Sequence, residues 1–167
     1  LGTATVMPVS KGRFVGVSVN TYADKGDVDY SDVTDFFSSL DDLTQVFTWD
    51  QGAVKMWNKA AVSSATLTEV EAGQGFLVKT SDDAVFKFIS KYEIEADHEF
   101  SLKAGFNMVS YLPNSEDAIL NALDGLDTWT EVYEWDNESG VLWAKRDADT
   151  DEVLFNTIGT MKPGHSY

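Results

Sequence analysis

The sequence predicts an α+β fold dominated by strands, made of two homologous units that each place one short helix on a small antiparallel sheet. Three observations predict this. The phrase "TQVFTWDQGAVKMW" (residues 44–57) returns as "TEVYEWDNESGVLW" (130–143), with Thr, Val, Trp, Asp and Trp at the same five offsets. The likeness extends to both sides of the phrase, and its spacing drifts through 92, 84, 86 and 91 positions, as loop insertions between conserved elements of a duplication would make it. Within each unit most apolar residues follow the strand period, and one segment follows the helical period.

The elements follow in order. "GTATVMPVS" (2–10) is β-prone, extended and nearly uncharged. It aligns with "ADHEFSLK" (96–103), which makes it the opening strand of its unit. The same composition suits a strand donated to a neighbouring subunit, with Thr3, Thr5, Val6 and Met7 as the subunit contacts. Such head-to-tail donation need not close and builds a filament. "KGRFVGVSV" (11–19) pairs with "KAGFNMVSY" (103–111), matching Phe14 with Phe106, Val17 with Val109 and Ser18 with Ser110. Its β-branched residues with small ones between them predict a buried strand.

Next, "SDVTDFFSSLDDL" (31–43) aligns with "SEDAILNALDGL" (115–126). Ser31 and Ser115 are the expected N-caps, with acidic residues in the first turn to complement the helix dipole. Val33, Phe36, Phe37 and Leu40 fall at i, i+3, i+4 and i+7, and Ile119, Ala122, Leu123 and Leu126 repeat that stripe. The stripe predicts a helix of about three turns in each unit. Gly125 sits where a helix commonly stops.

The repeated phrase then predicts a hairpin. Val46 and Thr48 share one strand face, Phe47 and Trp49 the other, and "DQG" and "DNESG" carry turn chemistry. "VEAGQGF" (70–76) matches "MKPGHSY" (161–167). In the first unit "GFLVKT" leads into "DDAVFKFISKYEI", which alternates Val85, Lys87 and Ile89 against Phe86 and Phe88 and predicts a closing hairpin. The units are 1–94 and 95–167, with their junction near residues 92–97. The second sequence ends at the position of Phe76, so about 18 residues of closing hairpin have no counterpart in it. A truncated chain, a shorter second unit, or a strand supplied by a neighbouring subunit would each account for that.

Read together, the two units resemble a module of bacterial and archaeal secreted, surface-layer and multidomain extracellular proteins. Its pattern runs roughly "L-K-x-G-W-N-L-I-S-x-P", a helix, "V-W-x-Y-D-x-x-x-x-W", then "L-x-P-G-x-G-Y-W-I". The second unit writes this as "LKAGFNMVSYLP", "VYEWDNESGVLW" and "MKPGHSY", with Phe106 for the usual Trp and Ser166 for the last Gly. The first unit diverges further. The resemblance implies an architectural unit of a larger surface protein, an extracellular or cell-surface location, and no catalytic group to carry over.

Composition narrows the classes. The chain has 167 residues, 43% apolar and 13% aromatic, enough for one ordinary core or two small ones. No apolar run approaches the roughly 18 to 20 residues of a membrane-spanning helix. The net charge of −16 argues against nucleic-acid partners, which are bound by basic residues displacing phosphate counterions. An anionic membrane is disfavoured for the same reason. The absence of cysteine excludes disulfides, thiolate nucleophiles and zinc–thiolate sites. The chain begins at Leu1 without a signal peptide, which reads as a processed or trimmed chain.

The sequence nominates no catalytic residue, and the chain is read as a non-enzyme. The only histidines, His98 and His165, lie outside any nucleophile or metalloprotease motif. No phosphate-binding glycine loop is present, and "GQG" (73–75) reads as a turn between strands. Calcium is the candidate small ligand: Asp147, Asp149 and Asp151 alternate as in the first half of an EF-hand loop. Glu152 stands where that loop needs glycine and Ile158 where it needs its bidentate glutamate. A second acidic run carries Asp24, Asp27, Asp29 and Asp32. Both runs equally suit a solvated face of an acidic protein. Trp49, Trp57, Trp135 and Trp143, with Asp50 and Asp136, raise sugar stacking, although their repetition is explained as well by packing the same hairpin twice. Asn137 opens an N-x-S sequon, a candidate glycosylation site. The expected function is therefore a self-associating structural subunit of an extracellular filament, surface layer or particle coat. The alternative is a carbohydrate-binding or adhesive module of a larger secreted protein.

Overall fold

The computed structural model describes residues 3–18, 31–90, 99–113, 115–126, 129–137, 141–147 and 158–167. In chain order the strands and helices are β1 (Thr3–Val9), β2 (Phe14–Ser18), α1 (Val33–Phe36), β3 (Leu43–Asp50), β4 (Ala53–Asn58), β5 (Gly75–Thr80), β6 (Ala84–Ser90), β7 (Asp117–Ala118), α2 (Ile119–Ala122), β8 (Glu131–Asp136), β9 (Val141–Asp147) and β10 (Thr160–Met161). A 3-10 segment, Lys59–Ser64, follows β4. The fold is strand-dominated, with small antiparallel sheets and few, short helices, as the sequence predicts.

The largest sheet has four antiparallel strands in the order β2-β5-β3-β4. β3 alternates as expected: Val46 and Thr48 are fully buried, while Phe47 and Trp49 are half-buried. The buried Thr48 hydroxyl is satisfied by donating to the Gly75 carbonyl at 2.8 Å. Gln51 and Gly52, at φ 51° and 81°, join β3 to β4 in the doubly left-handed turn that matches strand twist.

The core lies between this sheet, α1 and the β1–β6 pair. Phe36 of α1 and Phe37 just after it meet Phe76 of β5 and Phe86 and Phe88 of β6, with the Phe36 and Phe88 rings 4.3 Å apart and the Phe37 and Phe86 rings 5.1 Å apart. Burying five phenylalanines in one cluster stabilises this core, since each removes extensive apolar surface from water. A smaller cluster of Tyr111, Ile119, Ile158, Met161 and Tyr167 forms in the second half of the chain.

Three local expectations are corrected. α1 and α2 are four residues long, about one turn, not three. The apolar stripe survives because tight turns take over, with Leu40 N–H donating to Phe37 O and Leu43 N–H to Leu40 O, so Val33, Phe36, Phe37 and Leu40 are all buried. Ser38 and Ser39 in the first half and Gly125 (φ 89°) in the second are poor helix formers at the point where the helix ends. The N-caps are also displaced. Asp32 caps α1, accepting from Thr34 N–H at 2.7 Å and Asp35 N–H at 3.4 Å, whereas Ser31 gives its carbonyl to Val70 N–H. α2 starts from Ala118, which has no side-chain cap. Finally, β5 and β6 form no hairpin. Both edges of β5 are occupied by β2 and β3, so β6 crosses to pair with β1, from Thr3↔Ser90 to Val9↔Ala84.

The same backbone bonds recur in both halves. Phe37 N–H to Val33 O, Ser38 N–H to Asp35 O and Leu40 N–H to Phe37 O are matched by Leu123 to Ile119, Asp124 to Asn121 and Leu126 to Leu123. Val33 N–H donates to Thr68 O, and Ile119 N–H to Gly159 O. These bonds stand 86 positions apart, as Ile119 does from Val33.

Candidate functional site

The regions joining the two halves are built from glycine turns and hairpin tips. Gly73 (φ 78°) and Gly164 (φ 80°) turn the chain at matching places ahead of the closing residues. Residues 106–110 lie across the first half. Gly52 N–H donates to Phe106 O at 3.1 Å, Met108 N–H to Trp49 O at 2.6 Å, Gly75 N–H to Met108 O at 3.1 Å and Ser110 N–H to Gly73 O at 2.7 Å. On their other side Val109 and Tyr167 exchange both backbone bonds, at 2.8 and 2.9 Å. The β8–β9 tip makes the reciprocal contact on β2. Trp135 Nε1–H donates to Phe14 O at 3.1 Å, and Asn137 pairs its amide with Gly16, accepting at 2.6 Å and donating at 3.1 Å. The Asn137 amide thus takes the place of a neighbouring strand on the outer edge of β2.

Two grooves result, each with a hairpin tryptophan and a glycine turn in its wall. One, of about 180 Å³, is lined by Trp135, Asn137 and His165 together with Met7 and Gly16 from the first half. The other, of about 210 Å³, is lined by Trp49, Asp50, Gln51 and Glu71 together with Glu99, Phe100 and Asn107. In the first groove His165 Nδ1 bonds to a Glu134 carboxylate oxygen, and its ring stacks on Tyr167 at 6.4 Å. Burial pushes the Tyr167 phenol well above its usual range, and its hydroxyl accepts from Lys162 N–H at 2.9 Å. In the second, Asp50 pairs with Lys55, whose ammonium is pushed up chiefly by its hydrogen bond to that carboxylate. The Asn107 amide ties its own turn by donating to Lys103 O and Gly105 O, while its oxygen accepts from Gln51 N–H at 3.1 Å.

Thr3, Thr5, Val6 and Met7 lie in β1, paired with β6 of the same chain. Trp57 is buried at 7% exposure, so it packs the core; Trp49 and Trp135 each line a groove; Trp143 lies on β9. Asn137 sits at the hairpin tip with the amide nitrogen of its sequon already donating to Gly16. Asp147 ends β9, and Asp32 caps α1. Asp24, Asp27, Asp29, Asp149, Asp151 and His98 lie outside the described residues. Among the described residues no group of three His, Asp or Glu is placed to hold a metal ion. Sequence reading missed Gly16, Phe100 and Met108, because each acts through a partner distant in sequence (Asn137, Gly73, and Trp49 with Gly75) and carries no local pattern. No family model matches the chain, and no curated protein and no solved structure matches it.

Proposed function

We propose that the chain is a structural subunit of an extracellular surface assembly, made of two homologous units and joined to its neighbours by β-strand addition. The recurring helix bonds, the matching glycine turns and the paired grooves support the two-unit part of this reading. Its extracellular setting rests on the resemblance of the repeated motifs to surface-protein modules.

One observation carries the strand addition. Among the described residues β1, TATVMPV, is a seven-residue edge strand without a charge, paired on one side with β6 and interrupted only by Pro8 near its end. Natural edge strands are usually blunted by charges, and a long uncharged edge is a template for another chain. Val6 projects from it at 61% exposure, whereas Val9 at 1% is anchored in the core. Deleting the strand would therefore open the core, and a charge at Val6 is the cleaner test. Light scattering and electron microscopy of the whole chain should find assemblies that Val6→Lys abolishes while the chain still melts cooperatively, lowered only slightly by the new lysine standing opposite Lys87 on β6. A wild-type chain that stays monomeric, or a Val6→Lys chain that assembles equally well, would refute the proposal.

A further inference from the structure

The two grooves share a hairpin tryptophan and a glycine turn but differ in how far the hairpin's polar groups are satisfied. In the groove at Trp135, the indole N–H is taken by Phe14 O and the amide two residues on, Asn137, is taken by Gly16. The matching residues in the other groove are Trp49 and Gln51. Gln51 contributes only its backbone N–H, to Asn107, and among the described residues no acceptor meets the Trp49 indole N–H. A wall that is self-satisfied in one groove is therefore left with open hydrogen-bonding capacity in the other. Around it stand the carboxylates of Glu71 and Glu99, the Phe100 side chain, and Asp50, whose carboxylate is already paired with Lys55.

We infer that the Trp49 groove binds a neutral sugar ring. The ligand must offer an acceptor to the indole N–H and donors to the carboxylates of Glu71 and Glu99, and must set an apolar face against the partly buried aromatic wall of the groove. Lysine and arginine side chains donate but cannot accept, which leaves the indole unmatched. Anionic ligands are repelled by the carboxylates. Sugar hydroxyls both donate and accept, and the C–H face of a pyranose lies on an aromatic ring. A volume of about 210 Å³ holds one ring, since pockets for larger ligands begin near roughly 300 Å³. So small a ligand binds weakly, at about 1 mM. This site is independent of the β1 edge, so either proposal can fail without the other.

The test follows the tryptophan indole N–H signals of the whole chain by NMR during titration with the methyl glycosides of glucose, galactose, mannose and N-acetylglucosamine. The Trp49 signal should move saturably with at least one of them while the Trp135 signal stays in place. Gln51→Ala and Glu99→Gln, both on exposed side chains, should weaken binding about tenfold or more in combination without altering the melt. A Trp49 signal that none of the four sugars moves would overturn the inference. So would binding unchanged in the double variant, or a response to a lysine-rich peptide in place of the sugars.

Discussion

Thr80 is 1% exposed, and among the described residues its hydroxyl is the buried side-chain polar atom without a partner. A buried donor left unmade costs more than an apolar group of the same shape. Thr80→Val should therefore stabilise the chain by about 1 kcal/mol in urea denaturation, and a destabilised variant would mean the hydroxyl does find a partner. Gly75 makes the opposite case. A Cβ there would stand 2.8 Å from both Cβ and Oγ of Ser166 and 3.1 Å from Met108 Cγ. Its backbone is not left-handed, so the requirement for glycine is one of packing between the halves. Gly75→Ala should cost about 1–3 kcal/mol. Ser166→Gly in the same chain should recover part of that loss, because it removes the atoms in the way. Costs that simply add would show that the two positions do not meet.

At the scale of elements, α1 depends on its cap. The Thr34 hydroxyl holds the Asp32 carboxyl below its usual range against the opposing effect of burial, with lesser help from the backbone N–H groups of Thr34 and Asp35. A depressed folded-state pKa contributes stability that is present above the unfolded value, near ~3.9, and disappears as pH falls through the folded one. Asp32→Ala should cost about 1 kcal/mol at neutral pH, and the two chains should converge in acid. A gap that persists at low pH would assign the loss to something other than the ionised cap. The same helix marks how far sequence reading reaches. Its inward stripe was legible because side-chain period survives a change from helix to tight turns. Its cap was not, because Ser31 and Asp32 are both good capping residues and tertiary pairing of Ser31 with Val70 decides between them. The hairpin of β3 and β4 was legible from Gly52 and the alternation around it. The separation of β5 from β6 was not, since an alternating strand does not record which edge is already occupied. For the grooves, Trp49 and Trp135 stood out as repeated residues, but the surfaces they face come from the opposite half of the chain.

For the whole molecule, the net charge of −16 opposes contact between copies. Salt screens such repulsion over about 10 Å at 0.1 M and about 3 Å at 1 M. Association through a hydrogen-bonded, uncharged strand edge should therefore strengthen as salt rises, whereas association through ion pairs would weaken. Val6→Lys sharpens the distinction. It adds a positive charge to a strongly negative chain, so a purely electrostatic view expects more association, while strand addition at β1 expects less. Sedimentation velocity of the wild-type and Val6→Lys chains at low and high salt reads both effects at once. The account predicts larger species in the wild type that grow with salt and are lost in Val6→Lys. A wild-type chain that sediments as a monomer at every salt concentration, or a variant that associates more strongly than the wild type, would contradict it.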